Sequence, residues 1–460
     1  MKRCAIWLLA LIFIASMVFV GIGCKEGAAP EEEAMVEEEE APAEEISAEE
    51  VSIDLWWQDW PGGKLWIDTW ITVFEEKYPN IKVNVMLVPF EELATKIFPA
   101  ILAGNEPDVF MFYDTWVVNM DLTGVFGTLT PDLYSADEFN EKVFKQTLLY
   151  MYGSDNNIYG VPFSSGAINA GIIYHKDLMD EAGVDPSTIE TWDDLKDVAK
   201  KLTKYNEDGS IARSGMSFGY LHTGYLLNDL IAAQGASDKL FNQETGEWNY
   251  NIPEAKKSME IIKSFVDEKI YNPYEGDVFT AFPNKLIAMM NLGPWALGAW
   301  VDQYPDLELG YMYMPKIEGT DKNVHATAPF ACLAISKRLE GDKLNAALIF
   351  LREIIENPAF YDIPIDSQYW VGLPGSKAYI DNLIKLAEEG KLSGNKAVVE
   401  MVASNYLPNV ELIPSKLTSN ELQETLIFQE MQSVFLGEKT IDEMLDYLTT
   451  NATLKEQEKM

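Results

Sequence analysis

Val51-Ser52-Ile53-Asp54-Leu55-Trp56-Trp57, Ile81-Lys82-Val83-Asn84-Val85-Met86-Leu87-Val88 and Val109-Phe110-Met111-Phe112-Tyr113 punctuate one stretch of the chain and decide its fold class. The first run reads as a strand. The second alternates apolar Ile81, Val83, Val85 and Leu87 with their neighbours, the period of a strand with one buried face. The third is apolar throughout and suits a strand covered on both faces. Between them, Trp66, Trp70, Val73, Phe74 and Lys77 recur at helical spacing until Tyr78-Pro79-Asn80. Leu93, Ile97 and Ile101 mark one face of a second helix over Glu91–Ala103, stopped at Gly104. The order βαβαβ predicts a mainly parallel sheet flanked by helices.

Downstream the alternation returns. Strands are expected at Gly171–Tyr174, Leu286–Leu292, Leu309–Met314 and Ala331–Ser336. A helix from Thr191 to Leu202 opens on Thr191 as N-cap with Asp194 three residues on. Others are expected over Ser258–Val266 and along Leu344, Leu348, Leu351 and Ile355. From Tyr379 onward the chain reads as helices. Two α/β lobes, each a mainly parallel sheet flanked by helices, are the simplest account of ~410 residues.

The first fifty residues read differently. Lys2 and Arg3 precede an uncharged apolar run that ends before Lys25, the layout of a secretory signal, residues 1–23. Gly21-Ile22-Gly23-Cys24 resembles a bacterial lipobox, with Gly21 where leucine is usual, so Cys24 is the expected lipidation site. Residues 24–50 are then an acidic tether: 25–50 hold one Lys, twelve Glu and no aromatic residue, too little apolar surface to fold. The chain carries a net charge of −38; without the tether's −11 and the signal's +2, the body is left at −29. That excludes nucleic acid or an anionic membrane surface as the body's default partner. Of three cysteines only Cys332 lies in the body, so no internal disulfide is expected.

Catalytic patterns are few. His175, His222 and His325 are scattered, which gives a metal site little support. Gly215-Met216-Ser217-Phe218-Gly219 fits the G-x-S-x-G of serine hydrolases, but Phe218-Gly219-Tyr220 is a poor helix start. Asp59 and Asp114, at the ends of expected strands, would be the carboxylate pair of an exported glycoside hydrolase. The stronger signal is tryptophan near loops: Trp57, Trp60, Trp116, Trp295, Trp300 and Trp370. In an α/β sheet ligands bind beyond the carboxyl ends of the strands. Trp57-Gln58-Asp59-Trp60 and Asp114-Thr115-Trp116 should emerge there together. Aromatic faces cover the CH face of a sugar while Gln and Asp meet its hydroxyls.

Ala100-Ile101-Leu102-Ala103-Gly104-Asn105-Glu106-Pro107-Asp108-Val109, Ile158-Tyr159-Gly160-Val161-Pro162-Phe163, Asn169-Ala170-Gly171-Ile172-Ile173-Tyr174, Lys176-Asp177-Leu178 and Gly293-Pro294-Trp295 follow one another in an order similar to the solute-binding proteins of ABC importers, in the maltose-binding-like carbohydrate family. His175 stands where that family often has Asn. The resemblance implies a periplasmic-binding-protein-like fold with a hinge of crossing strands near Phe163–Asn169, Pro315–Ala328 and Asp362–Gly372. One lobe would comprise 51–165 and 325–365, the other 166–320 and 370–460. It implies no enzymatic activity, no cofactor and no metal, a monomer that captures a sugar, and an ABC permease as partner. By position it implies ligand contacts from Trp57, Gln58, Asp59, Trp60, Tyr113, Asp114, Trp116, Ser165, Asn169, His222, Tyr225, Trp295, Tyr369 and Trp370.

Overall fold

A computed structural model describes residues 49–460 apart from 61, 166, 301, 302, 322, 327 and 328. The signal segment, Cys24 and most of the tether lie outside the described residues. Strands β1 (Val51–Asp59) and β2 (Ile81–Pro89) run parallel in unbroken register from Val51↔Ile81 to Asp59↔Pro89. Helices α1 (Gly63–Lys77) and α2 (Phe90–Ala103) follow them, and β3 (Val109–Tyr113) pairs parallel with β1. The βαβαβ unit is therefore present as its periodicity predicts. Along β1 the buried apolar residues are Val51, Ile53, Leu55 and Trp57, every second position.

The chain then supplies β4 (Val161–Ser165), β5 (Gly171–His175), β6 (Met289–Asn291), β7 (Leu309–Tyr313), β8 (Phe330–Ile335) and β9 (Leu373–Pro374). They form two larger sheets, one ordered β9-β4-β8-β3-β1-β2 and one β6-β5-β7. The α/β two-lobe architecture is as the sequence predicts, but the strand directions differ. β8 runs antiparallel to β3 and β4, and β5 is antiparallel to both its partners. The reason is the crossings: a chain that leaves one sheet and returns from the other re-enters reversed, so among the strand pairings of these two sheets only those of the opening βαβαβ are parallel.

The chain passes from one sheet to the other between β4 and β5 and again between β7 and β8. After β9, helices Lys377–Glu388 and Gly394–Tyr406 bury Tyr379, Ile380, Leu383, Val399, Val402 and Tyr406 in the core that holds β1, β3 and β8. The second core resumes at Leu417. Thr191 caps its helix as predicted, accepting from the Asp194 N–H at 3.2 Å while Asp194 accepts from the Thr191 N–H at 2.9 Å.

Helix α3 (Thr223–Ala233) packs against a π-helical segment, Asn420–Ile427. A Cβ on Gly224 would sit 1.9 Å from the Gln423 carbonyl oxygen, so only glycine permits that approach. No described helix is long and apolar enough to cross a membrane.

Candidate functional site

Because β1 and β3 are parallel neighbours, their carboxyl ends deliver Gln58, Trp60, Tyr113 and Trp116 to one edge. The Tyr113 hydroxyl donates to Gln58 Oε1 at 2.9 Å. Phe90, at the start of α2, meets Tyr113 edge-on at 5.7 Å and Trp116 at 6.0 Å. The second lobe opposes them with Tyr220, His222, Tyr225 and Trp295; the His222 ring contacts Tyr220 at 4.5 Å and Trp295 at 6.0 Å. Tyr369 and Trp370 close one side, and Ser419, Asn420 and Glu424 of the π-helical segment another. The enclosed cavity measures ≈ 470 Å³.

Its electrostatics are lopsided. Among the described residues no Lys or Arg lines it, and Glu424 is the one carboxylate that does. Glu424 accepts from the Tyr225 hydroxyl at 2.8 Å, and burial raises its proton affinity. Burial holds the His222 imidazole well below its ordinary value, at about 3, so the ring is neutral.

Nine of the fourteen residues expected from sequence line this cavity: Gln58, Trp60, Tyr113, Trp116, His222, Tyr225, Trp295, Tyr369 and Trp370. Five do not, each for a physical reason. Trp57 falls on the inward face of β1, fully buried, stacked on Phe163 at 5.2 Å and behind Trp60 at 5.7 Å. Asp59 is exposed at the strand end. Asp114 turns inward and accepts from the Phe330 and Thr115 N–H groups at 2.9 and 2.7 Å. Ser165 is fully buried and donates to the Pro329 carbonyl at 3.0 Å, while its neighbour Ser164 lines the cavity. Asn169 is buried and donates to Asp229. Trp300 is likewise a core residue, its indole donating to the Phe279 carbonyl at 3.0 Å.

Sequence reasoning missed Phe90, Tyr220 and Glu424. Tyr220 sits two residues from His222 and was reachable on composition. Glu424 lies in a stretch that reads only as helix.

The hydrolase patterns dissolve in the structure. The buried Ser217 hydroxyl donates to Glu275 and accepts from the Gly219 N–H at 3.1 Å, so a carboxylate and not a histidine holds it. Burial pushes Glu275 up to about 7. Asp59 and Asp114 do not face the cavity. Among the described residues no cluster of three His, Cys, Asp or Glu gathers to hold a metal ion.

Asp114 has a pH signature. Burial pushes its carboxyl from 3.8 up to about 8 despite its two N–H donors. The folded state binds this proton more tightly than the unfolded chain. The stability it carries is present below 3.8 and is lost as pH rises toward about 8. Asp114→Asn, which mimics the protonated acid, is expected to flatten the fall of Tm across that window. Equal slopes for variant and wild type would show that Asp114 is not the responsible group.

Residues 59–352 match the family described as bacterial extracellular solute-binding protein. A binding protein of Brucella abortus is 26% identical over 251 residues, 53% of this chain and 57% of its own. The arabinooligosaccharide-binding protein of Halalkalibacterium halodurans is 26% identical over 255 residues, 52% of each chain. The chain thus spans about half the length of these curated relatives. An ABC substrate-binding protein of Listeria monocytogenes, solved in complex with cycloalternan, superposes with a TM-score of 0.68 at 23% identity, over 88% of this chain and 99% of its own. That likeness shows a shared fold. With a match that takes in more than half its length, this chain belongs to the family of bacterial extracellular solute-binding proteins.

Proposed function

We propose that this protein is an exported receptor that captures a saccharide in the aromatic cavity between its lobes and presents it to an ABC permease. The observation that carries the reading is the cavity wall. Broad aromatic faces come from both lobes, with few polar groups between them, which suits a ring with apolar CH faces and hydroxyl edges. The relatives' names, one for arabinooligosaccharides and one solved with cycloalternan, support a carbohydrate ligand. In this reading the protein is a monomer without enzymatic activity. Cys24 carries lipid, and the acidic segment to Glu50 tethers the receptor so that it and the permease stay at high effective concentration.

A panel of neutral oligosaccharides read by thermal shift tests it, because a ligand that binds only the folded state must raise Tm. At least one member is expected to do so and to remain unhydrolysed. Trp295→Ala should weaken that ligand by more than about 1 kcal/mol, the scale of an aromatic contact. Unchanged affinity would reject Trp295 as a stacking residue. Mass spectrometry of the mature N-terminus is expected to find Cys24 acylated.

A further inference from the structure

A cavity that binds sugars needs hydrogen-bond partners, but the charge it presents is a separate choice. Here that choice is one-sided. Glu424 stands in the wall with its side chain only 12% exposed, and among the described residues no lysine or arginine lines the cavity to balance it. Its hydrogen bonds come from neutral groups, the Tyr225 hydroxyl at 2.8 Å and the Asn420 amide at 3.3 Å. The nearest ring nitrogen, His222 Nε2, is 4.0 Å away on an imidazole that burial keeps neutral. His222 Nδ1 and Trp60 Nε1 are buried without a hydrogen-bond partner, and neither ring carries a formal positive charge.

Two consequences follow from elementary electrostatics. A ligand carboxylate or phosphate entering this cavity would be stripped of water without a cation to meet it, beside the Glu424 carboxyl, whose proton affinity burial already raises and a second negative charge would raise further. A ligand ammonium would meet Glu424 and the faces of Trp60, Trp116 and Trp295, a setting in which aromatic rings attract cations. We infer that Glu424 is a charge filter. The cavity prefers saccharides bearing an amino group to their hydroxyl counterparts, and refuses those bearing a carboxylate.

The inference rests on the saccharide reading above, and its test separates the two. Trimers of glucose, mannose and galactose, their 2-amino counterparts and their uronate counterparts are titrated at neutral pH by tryptophan fluorescence. Wild type and Glu424→Gln are compared. For a ring and linkage that binds, the amino form is expected to bind at least about threefold more tightly than the neutral form, and the uronate at least about tenfold more weakly, on the scale of one charge contact. In Glu424→Gln both differences should shrink to about twofold or less. The unliganded variant should melt no lower than wild type, since a buried acid becomes an isosteric amide. Uronates binding as well as neutral trimers in the wild type, or a ranking unchanged in Glu424→Gln, overturns the charge filter and leaves the saccharide receptor standing. The wild-type ranking decides the matter even if the variant does not fold. No binding by any class overturns the receptor reading, and the filter with it.

Discussion

Trp57→Ala is expected to cost the fold about 3–5 kcal/mol, the range for deleting a large aromatic side chain from a packed core. Trp57 is fully buried and lies at the centre of an aromatic cluster. It stacks on Phe163 at 5.2 Å and on Trp60 at 5.7 Å, and meets Trp66 and Phe360 edge-on at 5.7 and 6.5 Å. No backbone segment can collapse into the space left at the end of β1, because β2 and β3 pin it on both sides. Trp57→Phe should cost far less, about 1.5 kcal/mol or below, since it keeps a ring and removes an indole N–H that has no partner. Trp60→Ala should behave the other way round, losing ligand affinity more than stability, because Trp60 lines the cavity. Chemical denaturation of the three variants checks this. A Trp57→Ala protein of wild-type stability that no longer bound ligand would put Trp57 in the site and Trp60 in the core.

Asp229→Ala is the second large effect, about 3–5 kcal/mol, the scale of breaking a buried charged network by removing one partner. Asp229 lies on α3 and accepts three hydrogen bonds from the crossings. Asn169 donates from the first; the Ala326 N–H, at 2.8 Å, and His325 Nδ1, at 2.9 Å, come from the second. The chain at Asn409–Glu411 pairs alongside, Asn409 O accepting from the His325 N–H at 2.9 Å and the Glu411 N–H donating to His325 O at 3.0 Å. The Tyr313 hydroxyl lies 2.7 Å from His325 Nε2. Taking the carboxylate away leaves a buried amide, an imidazole and a backbone N–H without acceptor. Asp229→Asn fills the same volume but turns an NH2 toward one of those donors, so it should destabilise by less, about 1–3 kcal/mol. If Asp229→Ala unfolded at the same denaturant concentration as wild type, the network would hold nothing together.

Legibility in the sequence followed the range of the interactions. The opening βαβαβ was readable because periodicity is local: β1 buries Val51, Ile53, Leu55 and Trp57, and β2 pairs with it residue for residue. The same alternation already marks Trp57 as inward and Trp60 as free to face a ligand, a distinction that the richness in tryptophan obscured. Asp114 and Asn169 are polar residues in the right neighbourhood, but their partners, Phe330 and Asp229, lie 216 and 60 residues away. Nothing local reports a partner at that distance. Likewise, an amphipathic helix at Lys377–Glu388 shows which face it buries and not which core receives it. Glu424 had no local signal either; it reaches the cavity because Gly224 lets α3 press against the segment that carries it.

That segment, Asn420–Ile427, is wound as a π-helix and runs directly into an ordinary helix, Phe428–Phe435. A π-turn holds one residue more than an α-turn, and successive residues of an α-helix are set about 100° apart. Deleting a single residue between Asn420 and Glu424 would let the segment rewind to α, swinging the acid out of the cavity while leaving Phe428–Phe435 in place. The position of Glu424 in the cavity wall is therefore set by a count of residues as much as by their identity. For the receptor proposed above, a one-codon deletion in this segment would change the charge the cavity presents without replacing any lining residue, a change that substitution-by-substitution comparison of relatives would overlook.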